Sequence, residues 1–183
     1  CLSRVPFLIK PPADHAVKPR VSDALVELVD FSATVYALTG INPGYDHFGR
    51  SLLPLLAGET EEHRDAAFCE GGRRIGETQA MERESASAGS VNTDGLYSPR
   101  LRLQTDDEGV HHTKAAMCRT KTHKYVMRLY EQDELYDLIH DPLEEQNVID
   151  DQAYADVCST LKQRLTQWYM ETCDVVPQAT DQR

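Results

Sequence analysis

Two adjacent imidazoles and an ammonium mark the part of this chain best suited to chemistry on an anion. His111, His112 and Lys114 stand where a polar turn, residues 106–112, delivers the chain into an expected β-strand. A loop-to-strand junction can aim such side chains at a negatively charged ligand. A histidine there can also donate a proton to a leaving oxygen. These three are the candidate substrate-binding residues. The competing reading keeps both histidines in solvent as plain loop residues. Arg83 and Arg100 lie in the polar stretch before them and carry the same charge, with nothing to set them apart from any surface arginine.

The other chemistry-bearing residues have simpler readings. Asp30 is a conceivable metal-ligand carboxylate, but it immediately precedes the run 31–39, which Gly40 follows. That arrangement predicts a short helix with Asp30 as N-cap and Gly40 just past its end. Gly49-Arg50-Ser51 is not a nucleophile elbow, because that turn needs a glycine two residues after the serine and Leu52-Leu53 follow instead. Ser51 is expected to cap a short leucine-rich turn. The cysteines, Cys1, Cys69, Cys118, Cys158 and Cys173, are far apart, with no C-x-x-C and no histidine at zinc spacing. Cys118 and Cys158 are expected as small buried hydrophobes. No catalytic residue and no metal ligand is assigned within the chain.

The elements that must position these residues centre on residues 114–141. Three short antiparallel strands are expected at 115–120, 124–130 and 134–138, a meander over 115–138. Ala116 and Cys118 fall on one face, Met117 and Arg119 on the other. Asp141-Pro142 stops the sheet, since proline lacks the N–H that a ladder needs. Residues 153–172 place Tyr154, Val157, Cys158, Leu161, Leu165, Trp168 and Tyr169 at helical spacing, so this helix is expected to pack on the meander. Earlier, residues 66–70 read as a strand running into Gly71-Gly72. The run 4–10 (RVPFLIK) reads as a strand buried on both faces, which cannot stand without neighbours. A turn is expected at Asp14-His15. Residues 73–105 are over-long for an ordinary connection and are read as a loop or a substrate-facing insertion. The tail, 173–183, is expected to be an extended arm.

Several runs carry a resemblance. Arg119, Thr120, Lys124 and Tyr125, followed by Leu135, Tyr136, Asp137, Leu138, Asp141, Pro142, Glu144 and Asn147, resemble the C-terminal R-T-x-x-x-K-Y and L-Y-D-L-x-x-D-P-x-E-x-x-N runs of the sulfatase family, within the alkaline-phosphatase-like superfamily. RVPFLIK, VDFSATVYALTGI and GRSLLPLLAG resemble further segments of that family, with Ala33 where proline is usual. The resemblance implies an α/β fold, of which this chain is the C-terminal portion. That portion is a small antiparallel sheet packed by a C-terminal helix, plus one strand and helix of the large central sheet. It divides the chain into residues 1–60, the end of the large domain, and 61–183, a C-terminal subdomain. It also implies a formylglycine nucleophile made from the Cys or Ser of C/S-x-P-S/T-R, held on a divalent metal, calcium. Neither that motif nor the family's D-H-G or D-N-G metal motif occurs in these residues. The nucleophile and metal are therefore expected from upstream sequence, and this chain is expected to be inactive alone.

Composition sets outer limits. The 183 residues are 40% hydrophobic and 27% charged, enough for a globular core. No apolar run approaches the roughly 20 residues that span a bilayer. The net charge of −11 argues against nucleic acid or an anionic membrane as a general partner. Charge is uneven: residues 98–128 carry 7 Lys/Arg against 3 Asp/Glu, whereas residues 129–183 carry 3 against 13. The basic segment is either a solvated sheet face or an anion-facing surface. The run CLSRVPFLIKPP, without an initiator methionine, reads as part of a longer protein and gives no compartment. The expected function is hydrolysis of a sulfated small molecule or glycan, with the upstream part of the same polypeptide as partner. A phosphodiesterase or phosphonate monoester hydrolase of the same superfamily is the alternative, and a non-catalytic binding module is the alternative of another class.

Overall fold

A computed structural model of the chain describes residues 5–72, 74–75 and 113–174. Its centre is a four-stranded antiparallel sheet in sequence order: β1 (Ala67–Gly71), β2 (Ala115–Arg119), β3 (His123–Arg128) and β4 (Glu134–Asp137). The three meander strands form where the β-formers predict them. The second starts one residue early and ends two early, and the third stops before Leu138. The strand around 66–70 also forms, one residue later than expected, and joins the meander as its edge by pairing with β2.

Local hydrogen bonds fix the turns. Thr120 Oγ1 accepts from the His123 amide at 3.0 Å, closing the β2–β3 turn. Asp133 Oδ1 accepts from the Arg128 amide at 2.9 Å, closing β3–β4. Asp137 Oδ1 accepts from the Ile139 and His140 amides at 3.0 and 3.2 Å, which turns the chain where a longer β4 would run on.

The expected C-terminal helix is present as a 3₁₀ turn, Gln152–Tyr154, leading into α3, Ala155–Thr172 (α1 and α2 are described below). Its stripe covers one sheet face. Leu161 and Leu165 pack on Ala66, Ala116, Cys118, Tyr125 and Leu135, with Phe68, Met127, Val157 and Trp168 around them. Burying each of the large side chains contributes roughly 1.5–3 kcal/mol. Trp168 stacks on Phe68 with ring centroids 5.0 Å apart, and the Tyr169 hydroxyl donates to Glu70 Oε2 at 3.0 Å, so α3 grips β1 as well as the meander.

Cys118 lies under this helix with no solvent exposure, and burial pushes its thiol up to about 11. At pH 8 a thiol reagent should therefore modify the exposed Cys69 and Cys173 in the folded protein and leave Cys118 untouched until denaturant is added. Peptide mapping checks this; modification of Cys118 at the rate of Cys69 would contradict the packing.

The N-terminal part holds two helices, α1 (Val29–Thr39) and α2 (Leu53–Ala57). Gly40 ends α1 as expected: it sits at φ 67° and its amide donates to Tyr36 O at 2.9 Å. The expected turn at residues 14–15 forms, with the His15 amide donating to Pro12 O at 3.1 Å. Ser51 is not the cap expected of it: Leu52 holds the N-cap position of α2 without a side-chain cap, and the Leu53 amide lies 3.4 Å from Ser51 Oγ, too far to serve as one.

Two expectations are corrected here. Residues 5–10 form no strand: Leu8 is 94% exposed, and no described segment offers a ladder to this run. A doubly buried strand needs neighbours on both sides, and none of the four strands pairs with it. The second correction concerns Asp30, which is not the N-cap. The helix begins one residue before it, and its side chain turns inward.

Candidate functional site

The outer face of the sheet, opposite α3, carries the basic segment seen in the sequence. Strand alternation brings Met117 and Arg119 of β2, Lys124, Val126 and Arg128 of β3, and Glu134 and Tyr136 of β4 to this face. Arg119 stands directly opposite Lys124, and Lys124 directly opposite Tyr136. The Lys124 ammonium lies 5.5 Å from the centre of the Tyr136 ring. Each cation has a carboxylate. Glu144, from the loop after β4, takes Arg119 Nη1 on Oε1 at 3.1 Å and Lys124 Nζ on Oε2. Arg128 donates from Nε to Glu134 Oε1 at 2.6 Å and from Nη1 to Glu131 Oε2 at 3.2 Å. Tyr136 donates to Glu134 Oε2 at 3.0 Å; burial first, and then this bond, pushes its hydroxyl up to about 12. The three cations of this face are thus matched by three carboxylates, Glu131, Glu134 and Glu144.

Of the three sequence-predicted site residues, His111 and His112 lie outside the described residues, as do Arg83 and Arg100. Lys114 is described. It is exposed at the entrance to β2, its carbonyl accepts from the Leu129 amide at 3.0 Å, and buried Thr113 precedes it. Gly72 approaches this junction so closely that a Cβ there would stand 2.2 Å from Thr113 O. The backbone at Lys114 is thus held between Gly72 and Leu129, and its side chain is exposed.

A second polar cluster was not foreseen. Asp30 is fully buried in the first turn of α1. Arg64 donates to it from Nε to Oδ2 at 2.9 Å and from Nη2 to Oδ1. The amides of Glu27 and Arg50 also donate to it, at 2.9 and 2.8 Å. Burial alone would raise the carboxyl, but the Arg64 guanidinium and the two amides outweigh it and hold it below the usual carboxylate range. Glu27 completes the knot: Oε2 lies 3.3 Å from Arg64 Nη1, and Oε1 accepts from the Phe68 amide at 2.6 Å. His63 Nε2 lies 3.2 Å from Asp30 Oδ2 but makes no hydrogen bond, since the carboxylate already takes four donors. Gly49 makes the approach of Arg50 possible; a Cβ there would stand 2.3 Å from Val29 O. A carboxylate so saturated neither accepts a proton from a substrate nor ligates a metal. The cluster ties α1, the Arg50 loop and β1 together. Of its members the sequence had marked only Asp30, as an N-cap or conceivable metal ligand.

No family model matches the chain, and no curated protein matches it. Solved structures do. A phosphonate monoester hydrolase of Agrobacterium radiobacter matches with TM-score 0.53 and 24% identity, over 82% of this chain and 28% of that one. A phosphonate monoester hydrolase from Silicibacter pomeroyi matches with TM-score 0.57 and 21% identity, over 85% and 27%. A sulfatase described as putative, from Bacteroides thetaiotaomicron, matches with TM-score 0.53 and 20% identity, over 79% and 25%. The likeness is one of fold, to one portion of these hydrolases. The chain spans about a quarter of the length of these hydrolases.

Within this portion the residues between Arg119 and Tyr154 interlock. Arg119 and Lys124 share Glu144. Asn147 Oδ1 accepts from the Leu135 amide at 2.9 Å, and Asn147 Nδ2 donates to Asp133 O at 3.2 Å, stitching the loop along β4. Asp137 turns the chain after β4 and accepts from the Tyr154 hydroxyl at 3.0 Å, joining sheet to helix. Asp141 accepts from the Glu145 and Gln146 amides at 3.1 and 2.8 Å. These bonds make residues 119–154 one sheet–loop–helix unit.

Proposed function

We propose that this chain is part of a metal-dependent hydrolase of sulfate esters, in which it supplies architecture and a substrate-facing edge. The observation that carries the reading is the coincidence of an alkaline-phosphatase-like fold, shared with solved hydrolases, and an ordered sulfatase-like run whose side chains build the unit they share. The formylglycine nucleophile and the divalent metal, calcium, belong in this reading to sequence outside these residues. Among the described residues no three His, Cys, Asp or Glu side chains converge to hold a metal ion, so the residues here do not fit the metal and no step runs through it.

His111, His112 and Lys114 are proposed to face a sulfated small molecule or glycan. The partner is the upstream part of the same polypeptide. It is proposed to cover the exposed apolar side of α1, where Leu28, Val29 and Phe31 lie in solvent together with Leu8 and Val21. Hydrolysis of phosphonate monoesters or phosphodiesters is the second reading, favoured by the two phosphonate monoester hydrolases among the solved structures.

The test uses the polypeptide encoded by the whole reading frame, with 4-nitrophenyl sulfate and 4-nitrophenyl phenylphosphonate as substrates. Faster turnover of the sulfate ester, lost on chelation, is expected. Preference for the phosphonate transfers the assignment to the second reading. No turnover of either, from a frame that lacks C/S-x-P-S/T-R, overturns both. In the active protein, His112→Ala and Lys114→Ala should each lower kcat/KM by about tenfold or more, the value of one charge-assisted hydrogen bond to an anion. Unchanged kinetics in both variants would remove these residues from the site.

A further inference from the structure

Arg119 and Lys124 occupy directly opposed positions on adjacent strands. Like charges so placed destabilise a sheet unless an anion lies between them. Here that anion is the Glu144 carboxylate, with one oxygen on each cation. That pair shares one carboxylate, whereas Arg128 on the same face has two, Glu131 and Glu134, so the face as a whole is balanced and the deficit of carboxylate is local to Arg119 and Lys124. Glu144 is also the one described non-glycine residue at positive φ, 60°, a conformation that L-residues seldom adopt and that is worth relating to function. Its loop holds that shape independently of the ion pairs, because the Asp141 carboxylate binds the Glu145 and Gln146 amides and the Glu144 amide donates to Asp141 O at 3.1 Å. The loop therefore presents the Glu144 side chain to the cations, rather than the cations ordering the loop. The site is not sealed: the Arg119 side chain is 31% exposed and that of Lys124 13%.

We propose that Arg119 and Lys124 form a binding site for a doubly charged tetrahedral oxyanion, of the sulfate or phosphate class, and that Glu144 fills it as an internal stand-in when no ligand is bound. A dianion neutralises both cations where the carboxylate neutralises one. The planar fork of Arg119 and the point charge of Lys124 together suit an acceptor with oxygens in several directions. Displacing the Glu144 side chain requires a rotamer change and leaves its Asp141-held backbone in place. The site needs no nucleophile, so it stands or falls separately from the hydrolytic reading.

The test is a titration of the 183-residue chain with inorganic sulfate at constant ionic strength, balanced with chloride and followed by the amide resonances of Thr120 and Tyr125. Glu144→Gln removes the competing charge and should tighten the sulfate Kd by about tenfold, since the empty cation pair becomes the dominant state. The double variant Glu144→Gln with Lys124→Met should lose that gain. Equal Kd in wild type and Glu144→Gln, or a gain that survives Lys124→Met, overturns the site. A parallel titration with phosphate and acetate fixes the ligand class. Acetate binding as tightly as sulfate overturns the preference for a dianion. Should Glu144→Gln fail to fold, the wild type and Lys124→Met are compared instead. Sulfate should then raise the Tm of the wild type, relative to chloride, by more than it raises that of Lys124→Met. Equal shifts overturn the proposal.

Discussion

Replacing Arg64 by alanine should cost about 3–5 kcal/mol of unfolding free energy, the expected price of breaking a buried ion pair from one side. The loss is large because of what stays behind. Asp30 has no solvent exposure and Glu27 is mostly covered, so removing the guanidinium takes from both carboxylates the cation that joins them. Three segments come apart together: Arg64 reaches Asp30 in α1, Glu27 before it, and Phe48 O, to which Nη2 donates at 3.0 Å. Asp30→Ala should be comparably damaging, since it orphans the amides of Glu27 and Arg50 as well as the guanidinium. Asp30→Asn should be milder, because the amide oxygen can keep one of those donors. Urea unfolding of the three variants gives the order; an Arg64→Ala loss under 1 kcal/mol would mean that water already reaches the pair.

The same pair sets an acid limit. The folded-state pKa of Asp30 is depressed, so its contribution is complete above the unfolded carboxyl value, about 3.9, and is lost as pH falls below it towards the folded value. Wild-type stability should therefore drop below about pH 4, and the Asp30→Asn curve should be flatter there. Asp137 acts in the same direction, its carboxyl held far below the usual range by its bond to His140 first, then by the His140 and Ile139 amides and the Tyr154 hydroxyl.

This cluster also marks where sequence reading stopped. The meander and α3 were legible because their signals are local. Alternation placed Ala116 and Cys118 on the core face, and the 3–4 spacing from Tyr154 to Tyr169 placed the stripe that covers them. Asp30 before an apolar run followed by Gly40 looked like a cap for equally local reasons. Its true partner is 34 residues away, and no periodicity announces a buried guanidinium. β1 was foreseen as a strand, but its place beside β2 follows from register, which nothing in residues 66–70 encodes. Residues 5–10 were read as a strand whose partners lie outside these 183 residues, and among the described residues no strand pairs with them, so the run has no ladder to join. In the site itself, the positive segment was visible as a charge excess. That Arg119 and Lys124 converge on Glu144 was not, because Glu144 sits in a loop whose left-handed turn only the structure shows.

Tyr125→Ala should cost about 3–5 kcal/mol, the range for emptying an aromatic site in a packed core. Tyr125 has no exposure and lies between Cys118 on β2 and Leu135 on β4, both also fully buried, with Leu161 and Leu165 of α3 in the same cluster. Its removal opens a cavity beneath the helix that β-sheet backbone is too stiff to close. Tyr125→Phe separates packing from polarity. The hydroxyl donates to Asp133 Oδ2 at 2.6 Å, and Asp133 Oδ1 closes the β3–β4 turn, so the phenylalanine variant should lose only about 1–1.5 kcal/mol. Alkaline pH supplies the sharper readout. Burial, and then the bond to Asp133, raise the folded-state pKa of Tyr125 well above the unfolded value of about 10. For an acid so shifted, the stabilisation is complete below the unfolded value and is lost as pH rises through and beyond it. Wild type should therefore weaken above pH 10 faster than Tyr125→Phe, so that the gap between them narrows and can close. Tyr136 and Tyr169, both pushed up to about 12, contribute a background common to the two proteins. Parallel curves above pH 10 would show that the buried hydroxyl ionises without unfolding the sheet, and would place Asp133 out of reach of it.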